Sequence, residues 1–459
     1  MDEKSTELKP VIKIMRILLT THQFFPQFSA GTEVLTLSVA RELLRRGHEV
    51  HIYTGYPTNK ALLDHERFDE YEFEGIHVYR FHHEYVCMGG QSSLIKVGYD
   101  NVLAARHFER ILKNFNPDII HFFHLNRLGT GLIEKANQAR TPAYATLTDF
   151  WAICPTGQLL LPSGKLCDGP NLYAGNCVKH FAQNSQKGFI GGLLKWLPIT
   201  LFNFFTKLTL YNRLPAYPNS NEVAAISDRL NVNVFRLNLL KKIIAPNQLL
   251  YDVLVKNGVR KELILKSSYG IDVIYNEDRP LQSERKHFRI GFIGTLAEHK
   301  GCHVLIEAFN MLPNDSAILK IYGSPDEHPE YFMKLKSISS KNTNVEFCGT
   351  FDNSKILNVI SDFDVLVVPS IWLENTPLVI YSAQAARCPV VGSNFKGISD
   401  VIKHNHNGLL FQPGNYEDLA DILLRLIKTP ALVSRLSKNA KLPKTTYKYV
   451  DELLTIWAS

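Results

Sequence analysis

The segment Trp372-Leu373-Glu374-Asn375-Thr376-Pro377-Leu378 puts a carboxylate, an amide, a hydroxyl and a helix-starting proline into one short stretch. It follows Val365 to Val368, an apolar run that reads as a buried strand, and Pro377 is pre-shaped for the first turn of a helix. Backbone N–H groups at Thr376 and Leu378 would then lack helical partners and could hold a diphosphate, while Glu374 just outside could accept hydrogen bonds from sugar hydroxyls. A carboxylate beside a diphosphate is unfavourable unless it has a separate task, so the alternative is a solvated loop acid.

Two further loops offer charge and open backbone. Gly294-Thr295-Leu296-Ala297-Glu298-His299-Lys300-Gly301 joins a strand to a helix, and Lys300 there could reach phosphate as a point charge or stay a solvated surface lysine. In Pro26-Gln27-Phe28-Ser29-Ala30-Gly31-Thr32, Gly31 could let a ligand approach the positive end of the next helix, or mark a plain turn. No Gly-x-Gly-x-x-Gly follows the first strand and no Gly-x-x-x-x-Gly-Lys-Ser/Thr occurs, which argues against dinucleotide oxidoreductases and P-loop enzymes.

These loops need a scaffold of alternating strands and helices. Ile14 to Leu19 reads as a buried strand, Gly31 to Arg46 as a helix ended by Gly47, and His48 to Thr54, Ile76 to Phe81, Asp118 to Phe122 and Ala143 to Leu147 as further strands, with a helix near Val102 to Phe115. A second series begins near Phe288, with strands at Arg289 to Ile293, Ile318 to Tyr322, Val345 to Cys348, Asp364 to Pro369 and Pro389 to Gly392. Its helices are Cys302 to Asn310, Ser354 to Ser361, Leu378 to Arg387 and Tyr416 to Lys428. The pattern predicts an α/β protein of two facing, Rossmann-like doubly wound parallel-sheet domains. The expected division is a polar tail over 1–10, an amino-terminal domain over 11–275, a second domain over 286–430, and carboxyl-terminal helices over 431–459 that could pack back on the first domain.

At 459 residues the chain exceeds what one core usually organises, and its 45% hydrophobic content leaves no case for wholesale disorder. The net charge of +7 is spread over 51 basic and 44 acidic side chains, a weak basis for nucleic-acid binding, and none is expected. No signal peptide or spanning segment is read near the start, and the seven cysteines show no secreted disulfide framework, so a cytoplasmic protein with reduced thiols is expected.

One insertion, about 180–215, departs from this picture. No acid occurs between Asp168 and Glu222, and Gly188 to Tyr211 is rich in Leu and Phe, with Leu197, Leu201, Phe204, Phe205 and Leu208 at helical spacing. Flanked by lysines, that is the pattern of a helix lying on an anionic membrane surface, at the inner face of the cell membrane; the alternative is an insertion packed on its own domain. Nearby, Cys154, Cys167, Cys177 and His180 could supply a structural zinc site, or be separate buried thiols.

Taken together the motifs resemble those of the GT-B fold, retaining glycosyltransferases of family 4 (glycosyltransferase group 1), over nearly the whole chain. Pro26 to Gly47 is similar to the family's glycine loop and the Arg-Gly-His that follows, Tyr269-Gly270-Ile271-Asp272 to its domain-closing motif, and Lys300-Gly301 to its donor-site Lys-Gly. Ile371 to Ala386, Pro389-Val390-Val391 and Asn407-Gly408-Leu409-Leu410 complete the donor-domain pattern. The resemblance implies that Lys300 steadies the departing nucleoside diphosphate, that Glu374 contacts the transferring sugar, that amides over Asn375 to Leu378 hold phosphate, and that no metal or other cofactor is needed. Three positions depart from the pattern. Ser382 stands where a second glutamate is expected to grip the ribose, Thr295 where many members place arginine, and Thr148-Asp149-Phe150-Trp151 where a histidine often begins the segment near the acceptor. Asp149 is then the nearest polar candidate, or a structural cap.

The expected activity is transfer of a hexose-type sugar from a nucleotide-diphosphate sugar to a polysaccharide, glycolipid or lipid-linked acceptor. A catalytically weakened nucleotide-binding or assembly protein of cell-surface glycan synthesis is the alternative, motivated by Ser382 and Thr295; an epimerase on the same fold has no distinguishing motif here.

Overall fold

The structure, a computed structural model, describes residues 13–161, 165–185, 194, 196–272, 287–340 and 342–459. The polar tail over 1–10, most of the expected domain join between Gly270 and Lys286, and parts of the 188–211 insertion lie outside the described residues.

The first sheet is built from β1 (Arg16–Thr21), β2 (Glu49–Pro57), β3 (Phe68–Phe73), β4 (Ile76–His83), β5 (Ile119–Phe122), β6 (Ala143–Thr146), β7 (Lys242–Ala245) and β8 (Ile264–Lys266). Its order is β3-β4-β2-β1-β5-β6-β7-β8, parallel except for β3, which pairs antiparallel with β4 at the edge. The second sheet contains β9 (Phe288–Ile293), β10 (Ala317–Tyr322), β11 (Val345–Gly349), β12 (Val365–Val368), β13 (Val390–Ser393) and β14 (Gly408–Phe411), in the all-parallel order β11-β10-β9-β12-β13-β14. Central strands buried along their whole length, such as Val365 to Val368, explain the continuous apolar runs: helices cover both faces of each sheet. In both sheets the strand order reverses next to the first strand of the domain, which places crevices at the carboxyl ends of β1 and β9, where α/β proteins bind ligands.

The two units share a core. Ile17, Leu19 and Leu35 of the first pack in one cluster with Tyr381 and Ala385 of the second and with Tyr449, Leu453 and Trp457 from the last helix, Thr446–Ala458. That helix is capped by Thr445, whose hydroxyl accepts from the Lys448 amide at 3.2 Å, and its buried stripe lies on the amino-terminal domain. Tyr449 hydroxyl meets Thr146 Oγ1 at 2.8 Å and Arg46 donates to the Tyr447 carbonyl at 2.9 Å. Each fully buried large apolar side chain here stabilises the contact by roughly 1.5–3 kcal/mol.

Candidate functional site

The loop after β12 is fixed by glycines on two sides. Gly301, at φ +71°, and Gly397, at φ +87°, stand where a Cβ would overlap the carbonyl oxygens of Pro369 and Glu374 respectively. Only residues without a side chain let these backbones touch. The loop ends at Thr376, which holds φ +89°, an unfavourable conformation for a β-branched residue that costs about 1–3 kcal/mol. Pro377 then takes the N-cap position, one residue before the helix Leu378–Ala385, because its ψ of 124° is still extended. The Ile380 amide donates to the Pro377 carbonyl at 3.0 Å, and the Leu378 and Val379 amides before it form the helix's positive end.

Glu374 is 5% exposed, and one oxygen, Oε1, accepts three hydrogen bonds: from Lys300 Nζ at 2.7 Å, Ser370 Oγ at 2.7 Å and Trp372 Nε1 at 2.8 Å. Oε2 takes no hydrogen bond among the described residues, which leaves it for a ligand hydroxyl. Burial alone would push this carboxyl up; the Lys300 charge and the three donors outweigh it and hold Glu374 below the usual carboxylate range. Lys300 comes from the short turn Glu298–Lys300 after β9, and the Ile371 amide donates to the His299 carbonyl at 2.9 Å, binding that turn to the Glu374 loop. Trp372 completes the layer, with Lys300 Nζ 5.1 Å from its ring and His299 edge-on at 4.7 Å. Burial first, and Lys300 second, drive the His299 imidazole down to about 4, so it is neutral at pH 7. Nothing in residue type or spacing marks Trp372 or His299 beyond their adjacency to Glu374 and Lys300. Thr295 lies half-buried in the same turn and its carbonyl accepts from the Ala297 amide at 2.9 Å.

The facing wall belongs to the amino-terminal domain. Gly31 opens the helix Gly31–Arg45, and a Cβ there would lie 3.6 Å from Leu378 Cδ1, so two helix N-termini meet across the crevice. Thr32 donates to Thr148 Oγ1 at 3.0 Å. Beside it Asp149 has two partners: Oδ1 accepts from the Trp151 amide at 2.7 Å, and Oδ2 lies 3.0 Å from His124 Nε2. His124 Nδ1 accepts from the Asn126 amide at 3.2 Å, which places the ring proton on Nε2, donated to Asp149. The segment is not helical, so Asp149 closes a local turn and still presents a half-exposed carboxylate to a cavity lined by His124, Leu147, Thr148 and Trp151. Behind it, the His22 ring stands 4.2 Å from that of His124 and 3.6 Å from buried Glu33, whose carboxyl burial lifts to about 7.

Two residues of the sequence motif point elsewhere. Asn375 turns towards the other domain, and Ser382 is buried with its hydroxyl back-bonded to the Leu378 carbonyl at 3.4 Å. The zinc expectation is corrected. Among the described residues no group of three or more His, Cys, Asp or Glu side chains could hold a metal ion. Cys154 Sγ contacts Thr156 Oγ1 at 3.3 Å, Cys167 Sγ contacts the Gly169 carbonyl at 3.9 Å, and His180 lies against Phe181. Burial, reinforced by Cys154 and Cys167, pushes the Cys177 thiol up to about 12.

In the insertion, the helix Ile199–Leu210 is inside out: Thr206 and Thr209 are buried while Phe204 is 62% exposed, and Trp196 just before it 88%. Among the described residues no helix is long and apolar enough to cross a membrane.

Residues 274–442 match the family profile of glycosyl transferases group 1, and residues 29–169 that of Glycosyltransferase Family 4. An uncharacterised glycosyltransferase of Methanocaldococcus jannaschii is 29% identical over 189 residues, 41% of this chain and 47% of that protein. The amylovoran biosynthesis glycosyltransferase AmsK of Erwinia amylovora is 27% identical over 199 residues, 40% and 49% of the two chains. The matched region thus spans about half the length of these relatives. Among solved structures, Anabaena HepE in complex with UDP and glucose superposes with a TM-score of 0.63 at 18% identity, covering 97% of this chain and all of that one. WaaG, a glycosyltransferase involved in lipopolysaccharide biosynthesis, gives 0.56 at 16% identity over 95% and 99%.

Proposed function

We propose, for a chain with the GT-B fold whose residues 274–442 match the glycosyl transferases group 1 profile, a retaining, metal-independent transfer of a hexose-type sugar from a nucleotide-diphosphate sugar. The observation that carries this reading is the buried Glu374 carboxylate, bonded to Lys300 beside the open first turn of Leu378–Ala385. Departure of a diphosphate leaves its electron pair on the phosphate oxygen and positive charge on the sugar carbon; Lys300 and the helix amides stabilise the first, and Glu374 Oε2 holds a sugar hydroxyl. The acceptor hydroxyl bonds to the same carbon, and Asp149, held by His124, is the base nearest the cavity on the opposite wall. HepE was solved with UDP and glucose, which makes a UDP-sugar the first donor to try.

The proposed acceptor is a polysaccharide, glycolipid or lipid-linked glycan at the inner face of the cell membrane, reached through the exposed apolar residues around Ile199–Leu210. The names of AmsK and WaaG, which refer to amylovoran and lipopolysaccharide biosynthesis, support that class. Ser382, a hydroxyl bonded to the Leu378 carbonyl where a second carboxylate is expected, favours one competing reading, a nucleotide-binding protein without turnover. Incubation with UDP-, GDP-, ADP- and CMP-sugars separates them. Slow hydrolysis of one donor, abolished by Glu374→Ala and by Lys300→Ala, supports the enzyme; nucleotide binding without turnover, even with membrane extract as acceptor, supports the competitor.

A further inference from the structure

Asn247 belongs to the amino-terminal domain, in the turn after β7, yet its side chain reaches the loop that carries Glu374. Its Oδ1 accepts from the Leu250 amide at 2.9 Å and caps the helix Gln248–Lys256, which fixes the other atom as the Nδ2 donor. Nδ2 donates to Asn375 Oδ1 at 3.0 Å and to Thr376 Oγ1 at 3.1 Å. Asn375 answers by donating from its own Nδ2 to the Leu147 carbonyl at 3.4 Å and to the Tyr269 hydroxyl at 3.3 Å, and Leu373 packs on the amino-terminal core. Asn247, Asn375 and Thr376 are all buried, so none of these bonds competes freely with water.

The consequence lies in the Thr376 backbone. A β-branched residue at φ +89° persists only where its surroundings over-determine it; the Thr376 hydroxyl is bonded by Tyr381 of its own domain and by Asn247 of the other. That conformation sets where the amides after Thr376 point.

We propose that Asn247 is a positioning residue for sugar transfer: across the closed crevice it holds Asn375 and Thr376 so that the phosphate-binding turn is complete only when the two domains meet. The proposal rests on the glycosyltransferase reading above. It couples closure to donor binding, since an open chain would lose both Asn247 contacts and leave Thr376 with only its bond to Tyr381.

The test uses the full-length chain and the donor it hydrolyses. Asn247→Ser keeps a good helix cap but is too short to cross the crevice; the melting temperature should stay within about 2 °C while donor KM rises and kcat/KM falls by roughly tenfold to a hundredfold. Glycine adopts the required φ unaided, so in a Thr376→Gly background the same substitution should change kcat/KM by less than about threefold. An equal loss in both backgrounds, or no loss in the natural one, overturns the positioning role while leaving the enzyme reading intact. An unsubstituted chain that neither binds nor hydrolyses any donor overturns both.

Discussion

Gly397 supports Glu374 from beneath: its Cα lies so close to the Glu374 carbonyl that a single added methyl would overlap the oxygen, and it holds φ +87°. Gly397→Ala therefore meets both a forbidden backbone conformation and a backbone it cannot displace without moving the acid. We expect a stability loss above about 1 kcal/mol and at least a tenfold loss of donor turnover. Thermal melts and donor hydrolysis measure the two; full turnover in a stable variant would show that Glu374's position does not matter.

Lys300 and Glu374 should behave as a unit. Lys300→Ala removes the countercharge of a buried carboxylate and the cation beside the leaving group; roughly a hundredfold to a thousandfold loss of kcat is expected. The pair is partly open on the lysine side, so its breakage should cost only ~1–3 kcal/mol of stability. Because either truncation disables the same arrangement, the double variant should lie near the worse single variant, not at the product of the two losses. Multiplying losses would mean that the two residues act independently.

Acid should weaken the fold before carboxylates titrate. Burial lowers the folded pKa of His51, His107 and His299 to about 4, and of His83 and His121 to about 3. Between about pH 6.5 and 4 the unfolded chain binds protons at these rings that the folded chain does not, so stability falls as pH falls. Glu33 opposes this: its raised pKa, about 7, makes the folded chain the better proton binder there. Five rings outweigh one carboxyl, and the melting temperature should drop steadily from pH 7 to pH 4.5. A flat or rising profile would contradict the burial of these rings.

The doubly wound architecture was legible because its signal is local. Runs such as Val365 to Val368 and the periodic face of Cys302 to Asn310 need no tertiary information. The edge strand β3 is not legible in this way: Phe68-Asp69-Glu70-Tyr71-Glu72-Phe73 mixes acids with aromatics, and its pairing with β4 rather than its own pattern makes it a strand. The helix Pro329–Ser339 is equally faint, with only three buried side chains to mark its face. At the site, motif residues could be marked one by one, but not which of them would touch. Lys300 and Glu374 are 74 positions apart, and Asn247 is 128 from Asn375. The cysteines do come near one another, as their closeness in the sequence allows, but Cys154 and Cys167 direct their sulfurs to Thr156 and the Gly169 carbonyl, which no spacing rule reveals.

The inverted helix Ile199–Leu210 leads to the last expectation. A soluble surface would bury Phe204 and Phe205 and expose Thr206 and Thr209; the reverse arrangement leaves a patch with Trp196, Ile199, Leu201 and Tyr211 exposed to water. Lys207 and Arg213 flank it, and no acid occurs between Asp168 and Glu222, so an anionic bilayer suits it better than an acidic or neutral protein face. The chain should float with phosphatidylglycerol vesicles and less with phosphatidylcholine. Phe204→Ser with Phe205→Ser should abolish flotation and lower the melting temperature only slightly, since Phe204 is largely exposed and Phe205 keeps only a partial contact with Tyr217. Raised salt should weaken but not abolish binding, because screening removes only the charge contribution. Equal flotation of the double variant would exclude this helix as the contact.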